Sequence, residues 1–331
     1  MRFDDAAIEP RLGLLPDITG ILLLAALGGW ILLSAEVSGG DPGPAVALVI
    51  AGAAVFMASR VLGRMRPWIV PVAVLIAVGI TIYQGGMAFF ERGPLDPPLG
   101  YENANAAFFY QAAAAGMMCA VAARSLLGRA IGVAAAIAGA VLTIATGATG
   151  AIVLLVLFPI ALLFGGSRRR IRIAATAGAV VVAFVLTMTT LLGTVYVPGE
   201  RGGTIIKIAS VSLEERRLGL WRDAIDLMHD RPAFGVGPGR FSVTSEVALS
   251  NRDARWTHNE FLQLGAETGL TGLALLVTFV GLAFFSLGRS DGGYLAPVAV
   301  AAVMGTVVQA CIDYVWHFPA VPLAAIALFG A

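Results

Sequence analysis

The sequence predicts an all-α polytopic membrane protein with about ten transmembrane helices and one long extracytoplasmic loop that contains an amphipathic helix. The first observation behind this prediction is composition. Hydrophobic residues make up 58% of the 331 residues, charged residues only 13%, and the mean hydropathy is +0.85. A soluble domain cannot keep so much apolar surface from water. The second observation is the length of the apolar runs, many of which match about 30 Å of hydrocarbon.

The candidate spans are ten apolar runs. They lie at 17–35, 43–59, 69–90, 104–123, 130–147, 150–165, 173–197, 267–287, 294–312 and 318–331. This division gives three regions, with seven helices in 1–197, the long loop in 198–258 and three helices in 259–331.

The arginines predict how the chain is oriented in the membrane. They are concentrated in alternate short connections, such as Arg60–Arg66 and Arg168–Arg172, whereas the opposite short loops carry only Arg92. By the positive-inside rule the arginine-rich connections and both termini are cytoplasmic, and the long loop is extracytoplasmic. The acidic N-terminal tail lacks a small-residue cleavage site, which favours a retained first helix.

The long loop contains the segment "SVSLEERRLGLWRDAIDLMHDRP", which has the pattern of an amphipathic helix. Ser212 and Glu215 form a capping box, and Pro232 ends the helix. Two interpretations of its three arginines stay open. The helix either lies on the membrane surface with these arginines on lipid phosphate, or it contributes to a site for a phosphorylated substrate, because guanidinium groups bind phosphate bidentately. The three are Arg216, Arg217 and Arg222.

The segment "THNEFLQLGAETGLTG" then carries charged groups directly into an apolar run. Thr257 and Glu260 predict a second capping box, which places His258 at the first helical position. The positive end of a helix disfavours imidazolium, and a neutral imidazole can accept a proton from a hydroxyl group. His258 is therefore the candidate general base.

Helical spacing divides the same segment into two faces. One polar stripe contains Asn259, Glu260, Gln263 and Glu267 and is expected to line a wet cavity. The opposite face contains Gly265, Gly269 and Gly272, where another helix can pack closely.

These residues resemble the O-antigen ligases and related O-antigen polymerases. His258-Asn259, followed by nine residues and then Gly269 and Gly272, is similar to the signature of that family. Three further stretches resemble other elements of the family, in the family's order. They are "RLGLWRDAIDLMHDRPAFGVGPGRF" at 217–241, "GYENANAAFF" at 100–109 and "DYVWHFPA" at 313–320.

The resemblance implies a membrane glycosyltransferase of the GT-C type in the bacterial cytoplasmic membrane. Such enzymes transfer a glycan, with inversion, from an undecaprenyl-pyrophosphate carrier to a hydroxyl of a lipid- or glycan-linked acceptor. The implied partners are this donor, the acceptor and membrane lipids, with no nucleic acid. His258 would assist the acceptor hydroxyl, and Arg217, with Arg216, would hold the leaving pyrophosphate.

Further residues are expected to bind substrate or to replace a missing family residue. Asn103 and Asn105 either line the cavity or cap the fourth span. The family's Ser-Arg pair is replaced in "TGATGA" at 146–151 by Ala148 and Thr149, so Arg222 or Arg255 is the candidate replacement for the absent charge. Neither an Asp-x-Asp motif nor a His/Asp/Glu cluster occurs on the predicted outer face, so we expect neither a metal ion nor another cofactor.

Two other functions remain as alternatives. One is a degenerate family member that binds or moves polyprenyl-linked glycans without catalysis. The missing arginine favours this alternative. An ion-coupled transporter is less well supported, because acidic residues are scarce within the predicted spans. Near the C-terminus, Trp316 and His317 are expected to anchor the last turn at the membrane interface.

Overall fold

A computed structural model describes residues 14–92, 98–195, 215–250, 255–290 and 293–331 of the chain. Within these ranges the chain folds into α-helices and one 3-10 turn, Val315–His317, without any strand. The helices are α1 (Leu14–Ser38), α2 (Gly43–Met65), α3 (Ile69–Arg92), α4 (Glu102–Ala122), α5 (Leu126–Ala145), α6 (Thr149–Leu154), α7 (Leu157–Leu163), α8 (Arg168–Val195), α9 (Glu215–Asp230), α10 (Phe241–Thr244), α11 (Glu246–Ser250), α12 (Glu260–Gly288), α13 (Leu295–Ala310) and α14 (Ala320–Gly330). The predicted all-α fold class is confirmed for these residues.

Six of the described helices, α1, α2, α4, α5, α8 and α12, are long and apolar enough to cross a membrane. The remaining predicted spans coincide with shorter apolar helices at 69–85, 149–163, 295–310 and 320–330. The protein is therefore a multi-pass membrane protein, while the count of ten spans and the placement of the long loop stay predictions.

Helices α4 and α13 form the centre of the bundle. Between Ala296 and Ala310, every residue of α13 except Met304 and Val308 is buried. Tyr110 of α4 is fully buried and donates a hydrogen bond to the carbonyl of Ala301 at 2.8 Å. Peripheral helices such as α5 and α8 instead expose many large apolar side chains, as expected of surfaces that face lipid.

The amphipathic helix α9 packs within the protein. Its apolar residues Leu218, Leu220 and Trp221 are buried and contact α8 and α12. Gly193 of α8 makes this approach possible, since a Cβ there would lie 2.7 Å from Ile225 Cδ1. The interpretation of α9 as a helix lying on the membrane surface is therefore wrong, because protein already covers its apolar face. The predicted capping box at Ser212 lies outside the described residues.

Helix α12 kinks at Gly269, whose backbone angles are φ 76° and ψ −178°. The backbone groups that the kink removes from the helical pattern pair with the glycine-rich segment 232–237. The bonds are Leu270 N to Pro232 O at 2.8 Å, Val236 N to Ala266 O at 2.9 Å and Gly237 N to Glu267 O at 2.9 Å. Unpaired backbone groups are costly in lipid, so these bonds are what allow the kink to persist.

Replacing Gly269 with Ala should destabilise the fold. The φ of 76° disfavours any side chain, and a Cβ would lie 2.2 Å from the carbonyl oxygen of Ala233. We expect a loss of about 2–5 kcal/mol, measured by thermal unfolding of the detergent-solubilised protein. The matched control is Gly281→Ala in the same helix, where a Cβ meets nothing within 4 Å. Equal melting temperatures for the two variants would contradict the role of the kink.

Candidate active site

The turn between α13 and α14 meets the start of α12 at a buried carboxylate. Asp313 is 4% exposed and lies three residues after the end of α13. Its Oδ1 is 2.8 Å from His258 Nδ1, and its Oδ2 accepts from the Tyr101 hydroxyl at 2.7 Å. The Asn103 side-chain amide also donates to Oδ2. One carboxylate thus joins three separate parts of the chain.

The surroundings of Asp313 favour its charged form. Burial by itself raises the pKa of the carboxyl group, but the hydrogen bond and charge of His258 lower it, and the Tyr101 hydroxyl and Arg217 add to this. The net pKa lies below the ordinary value. Burial and the adjacent Asp313 together raise the pKa of Tyr101 far above its ordinary value, so its hydroxyl stays a donor at neutral pH.

The contact with Asp313 fixes the orientation of the His258 ring. Because Nδ1 faces the carboxylate, Nε2 is the nitrogen left to exchange protons with another group. The imidazole is 18% exposed, so it lies at the edge of the protein interior and remains accessible. This arrangement has the geometry of a general base supported by an orienting carboxylate.

His258 is the one non-glycine residue with a positive φ in the part of the chain that the structure describes, with φ 53°. Such a backbone conformation costs an L-residue roughly 1–2 kcal/mol. Buried Thr257 holds the conformation, since its hydroxyl accepts from Asn259 N at 3.0 Å and thus bridges His258. Strained residues cluster at functional sites, and this one carries the ring that faces Asp313.

The structure corrects the predicted start of α12. The N-cap is Asn259, whose side-chain oxygen accepts from Phe261 N at 3.1 Å and Leu262 N at 3.0 Å. His258 therefore precedes the helix, and the Thr257–Glu260 capping box is wrong. Asn259 competes successfully for the cap because its short side chain accepts two backbone bonds at once. Its amide also donates to Thr189 of α8 at 3.0 Å, which anchors the helix start.

A second carboxylate–imidazole pair lies beside the first. Glu260 Oε1 accepts from Trp316 N at 2.7 Å and lies 3.1 Å from His317 Nδ1. The start of α12 contributes His258 and Glu260, and the turn after α13 contributes Asp313 and His317. Each of these two segments therefore supplies one histidine and one carboxylate. The Trp316 ring packs against Phe261, with centroids 5.5 Å apart. Trp316 and His317 thus contact the start of α12, while their position at the membrane interface stays a prediction.

The four candidate arginines occupy different positions. Arg217 Nη1 donates to the carbonyl of Ile312 at 3.4 Å, next to Asp313. Arg216 is exposed one residue earlier. Arg222 pairs with Asp226 at 2.9 Å and donates to Thr194 O at 3.1 Å, so its guanidinium is directed along α9 and towards α8. Arg255 is exposed in the segment before His258. The structure thus brings both Arg217 and His258 into contact with the turn between α13 and α14.

The other predicted polar residues mainly hold backbone. Asn105 is buried and accepts from Leu99 N at 2.9 Å, which fixes the segment before α4. Glu267 accepts from Gly239 N at 2.9 Å and Phe241 N at 3.3 Å, and so fixes the backbone that follows the glycine-rich segment 232–237. Gln263 lies between Glu267 and His317. Its side-chain amide donates to Glu267 at 3.3 Å and lies 3.5 Å from His317 Nε2.

The most important residues that sequence reasoning did not select are Asp313 and Tyr101. Both lie inside the family-like stretches "DYVWHFPA" and "GYENANAAFF", so the signal was present without a reason to single them out. Within the described ranges, no three His, Cys, Asp or Glu side chains are grouped so as to hold a metal ion.

Comparison with known proteins gave one family. Residues 133–277 match the family model described as O-antigen ligase. This match supports membership of the O-antigen ligase family. A comparison with curated proteins gave no match. The matched residues include Arg217 and His258, whereas Tyr101 and Asp313 lie outside them. The matched family supports glycan transfer of the ligase or polymerase type in general.

Within the matched residues 133–277, the stretch at 146–151 lacks the expected arginine and lies next to the candidate active site. Ala148 is buried in a small cluster with Ala106 and Ala151. A Cβ at Gly150 would lie 3.3 Å from Ile312 Cδ1, next to the carbonyl that Arg217 contacts. The Ala148-Thr149 pair therefore removes a positive charge close to the turn where Arg217 lies.

The Glu260–His317 pair predicts a pH-dependent stability of the protein. Burial lowers the pKa of His317, but the charge and hydrogen bond of Glu260 outweigh this, and Glu267 adds to them, so the pKa is raised above 6.5. Tyr314 also contacts the ring. The stabilisation from the pair is therefore complete below pH 6.5 and is lost as the pH rises through the raised pKa of His317. His317→Gln should remove this slope in melting temperature between about pH 5.5 and 9. An unchanged slope would refute the assignment.

Proposed function

We propose that the protein transfers a glycan from an undecaprenyl-pyrophosphate carrier to an acceptor hydroxyl, with inversion and without a metal ion, at the turn shared by His258 and Arg217. The single observation that carries this proposal is the contact of His258 Nδ1 with buried Asp313 at 2.8 Å, beside Arg217. A base and a cation for the leaving group are the two functions that such a transfer requires.

The acceptor side of the reaction depends on His258. The Asp313 carboxylate stabilises the imidazolium that forms when Nε2 takes a proton. Tyr101 and Asn103 hold that carboxylate from the opposite side, so its position does not depend on His258 alone. The held carboxylate favours one tautomer of the ring, in which Nε2 is ready to accept the hydroxyl proton.

The donor side depends on Arg217. In the transfer, the acceptor oxygen bonds to the anomeric carbon and its proton passes to His258 Nε2. The bond from that carbon to the phosphate oxygen breaks, and the electron pair leaves with polyprenyl pyrophosphate. Negative charge grows on the leaving group, and a guanidinium within the site stabilises it. Arg216, exposed beside Arg217, is placed to add a second positive charge.

The carrier's hydrocarbon tail needs an apolar path to this site. Between Ala296 and Ala310 of α13, Met304 and Val308 are the partly exposed residues, and the partly exposed Ile312 follows four residues after Val308. This strip of three residues ends at Ile312, whose carbonyl accepts from Arg217. A polyprenyl chain along the strip would therefore reach the guanidinium with its pyrophosphate. The positive-inside pattern supports a reaction on the outer side of the cytoplasmic membrane.

The second candidate function is binding or transport of a polyprenyl-linked glycan without transfer. It is favoured by the uncharged Ala148-Thr149 pair beside Ile312, because the leaving group then has fewer cations. The two functions differ in their dependence on His258, since glycan binding alone needs no base.

Replacing His258 with Asn should reduce kcat by about 10²–10⁴-fold while donor binding stays unchanged. Asn tolerates the left-handed backbone, which offsets part of the cost of removing the histidine partner of Asp313, and thermal unfolding of the variant checks that it folds. Transfer is measured with purified protein in detergent, polyprenyl-pyrophosphate-linked glycan and acceptor lipid, and donor binding is measured separately. Asp313→Asn should cause a similar loss of kcat. If the His258 variant transfers glycan at the native rate, the second candidate function replaces the first.

Replacing Arg217 with Lys should raise the KM for the donor about 10–100-fold, because the charge stays but the bidentate geometry is lost. The matched control is Arg231→Lys, at an exposed position just after α9, which should leave the KM unchanged. Both variants are assayed over a range of donor concentrations. An unaltered KM in the Arg217 variant would rule out its proposed contact with pyrophosphate.

A further inference from the structure

Three ring side chains form a surface next to His258, which we call the aromatic rim: Trp256, Tyr314 and His317. The rings of Trp256 and His317 have centroids 4.0 Å apart, and those of Tyr314 and His317 are 6.0 Å apart. Tyr314 lies edge-on to the His258 ring at 4.8 Å. The rim thus begins at the proposed base and extends away from it.

The rim is accessible although much of the site is buried. Trp256 and Tyr314 are partly exposed, and the His317 side chain is 27% exposed. In contrast, neighbouring Thr257 and Asn259 are fully buried. The exposed ring surfaces therefore share a boundary with the partly exposed imidazole of His258.

Contacts behind the rim hold its rings in place. Tyr314 stacks on Tyr101 with centroids 4.7 Å apart, and Tyr101 is itself bonded to Asp313. Glu260 accepts from the backbone of Trp316 and His317, which fixes the turn. A surface held in this way loses little conformational freedom when a ligand binds.

Charge separates the rim from the arginine side of the turn. Arg217 contacts Ile312 on one side of Asp313, whereas Glu260 lies against residues 316 and 317 on the other. Glu260, which is 8% exposed, pairs with His317 of the rim, so the carboxylate and the imidazole offset each other's charge there. An uncharged ligand with an apolar face and polar edges fits this surface. A pyranose ring has this character, since its C–H groups form a face that the negative π surface of an aromatic ring attracts.

We propose that the aromatic rim stacks one uncharged sugar ring of the acceptor and thereby places a hydroxyl at His258. The proposal rests on the function proposed above and names the side of the site that its acceptor occupies. Phosphate of the donor remains with Arg217, so the two substrates meet across Asp313. Trp256 is a binding residue in this arrangement and takes no part in proton transfer.

The test uses direct binding, which does not require a turnover. Saturation-transfer NMR is measured between the full-length protein in detergent and the methyl β-glycosides of glucose, galactose and N-acetylglucosamine, with sorbitol as the acyclic control. We expect saturation of the ring C–H protons of at least one glycoside and none for sorbitol. Trp256→Ala should weaken binding about two- to tenfold, and Trp256→Phe should retain most of it.

One further variant completes the design. Trp68→Ala, at an exposed tryptophan after α2, is the matched control and should bind as the native protein does. In transfer assays, Trp256→Ala should raise the KM for the acceptor and leave kcat unchanged at saturation.

Different outcomes overturn different proposals. Equal glycoside signals in Trp256→Ala and the native protein, or no signal for any glycoside, reject the rim as a sugar site while leaving the His258 result to decide the transfer function. Quenching of Trp256 by brominated lipid, measured as the difference between the native protein and Trp256→Phe, would show that the rim contacts the bilayer and would also reject the proposal. Loss of binding in Trp256→Ala together with native transfer by His258→Asn would overturn the transfer mechanism alone.

Discussion

Pairing of backbone groups at the kink of α12 determines where the candidate site can form. A helix in lipid must satisfy every amide and carbonyl, and the turn at Gly269 would leave several unpaired. The segment 232–237 supplies their partners, and this segment directly follows α9. The helix that carries Arg217 and the helix that begins after His258 are therefore joined by backbone bonds, which depend little on side-chain identity.

Burial of charge imposes the second constraint. Asp313 keeps a lowered pKa in a buried position only because His258, Tyr101 and Arg217 surround it. Removing one partner leaves an uncompensated carboxylate, which is costly in a protein interior. The same groups that would perform transfer thus also hold α4, α12 and the turn after α13 together. This dual role explains why a functional site lies where the chain's distant segments converge.

Sequence reasoning predicted the helical class, the amphipathic helix and His258, because composition, helical spacing and a family-like motif are local signals. It misplaced the start of α12, since the competition between Thr257 and Asn259 for the cap depends on the buried contact with Thr189. It also treated α9 as a possible surface helix, because an apolar stripe does not reveal whether lipid or protein covers it. Asp313 and Tyr101 were not selected because their partners are 55 and 212 residues away in the chain. Only the fold brings such pairs into contact.

The left-handed backbone of His258 lowers the stability of the fold at a residue that the proposed reaction requires. Glycine or asparagine there would relieve about 1–2 kcal/mol of backbone strain but would remove the histidine partner of buried Asp313, whereas histidine keeps both the strain and the contact. Histidine at this position therefore combines an unfavourable backbone conformation with a contact that the site requires. Stabilised versions of the protein made for structural or industrial use need position 258 held fixed, and their gains must come from residues elsewhere.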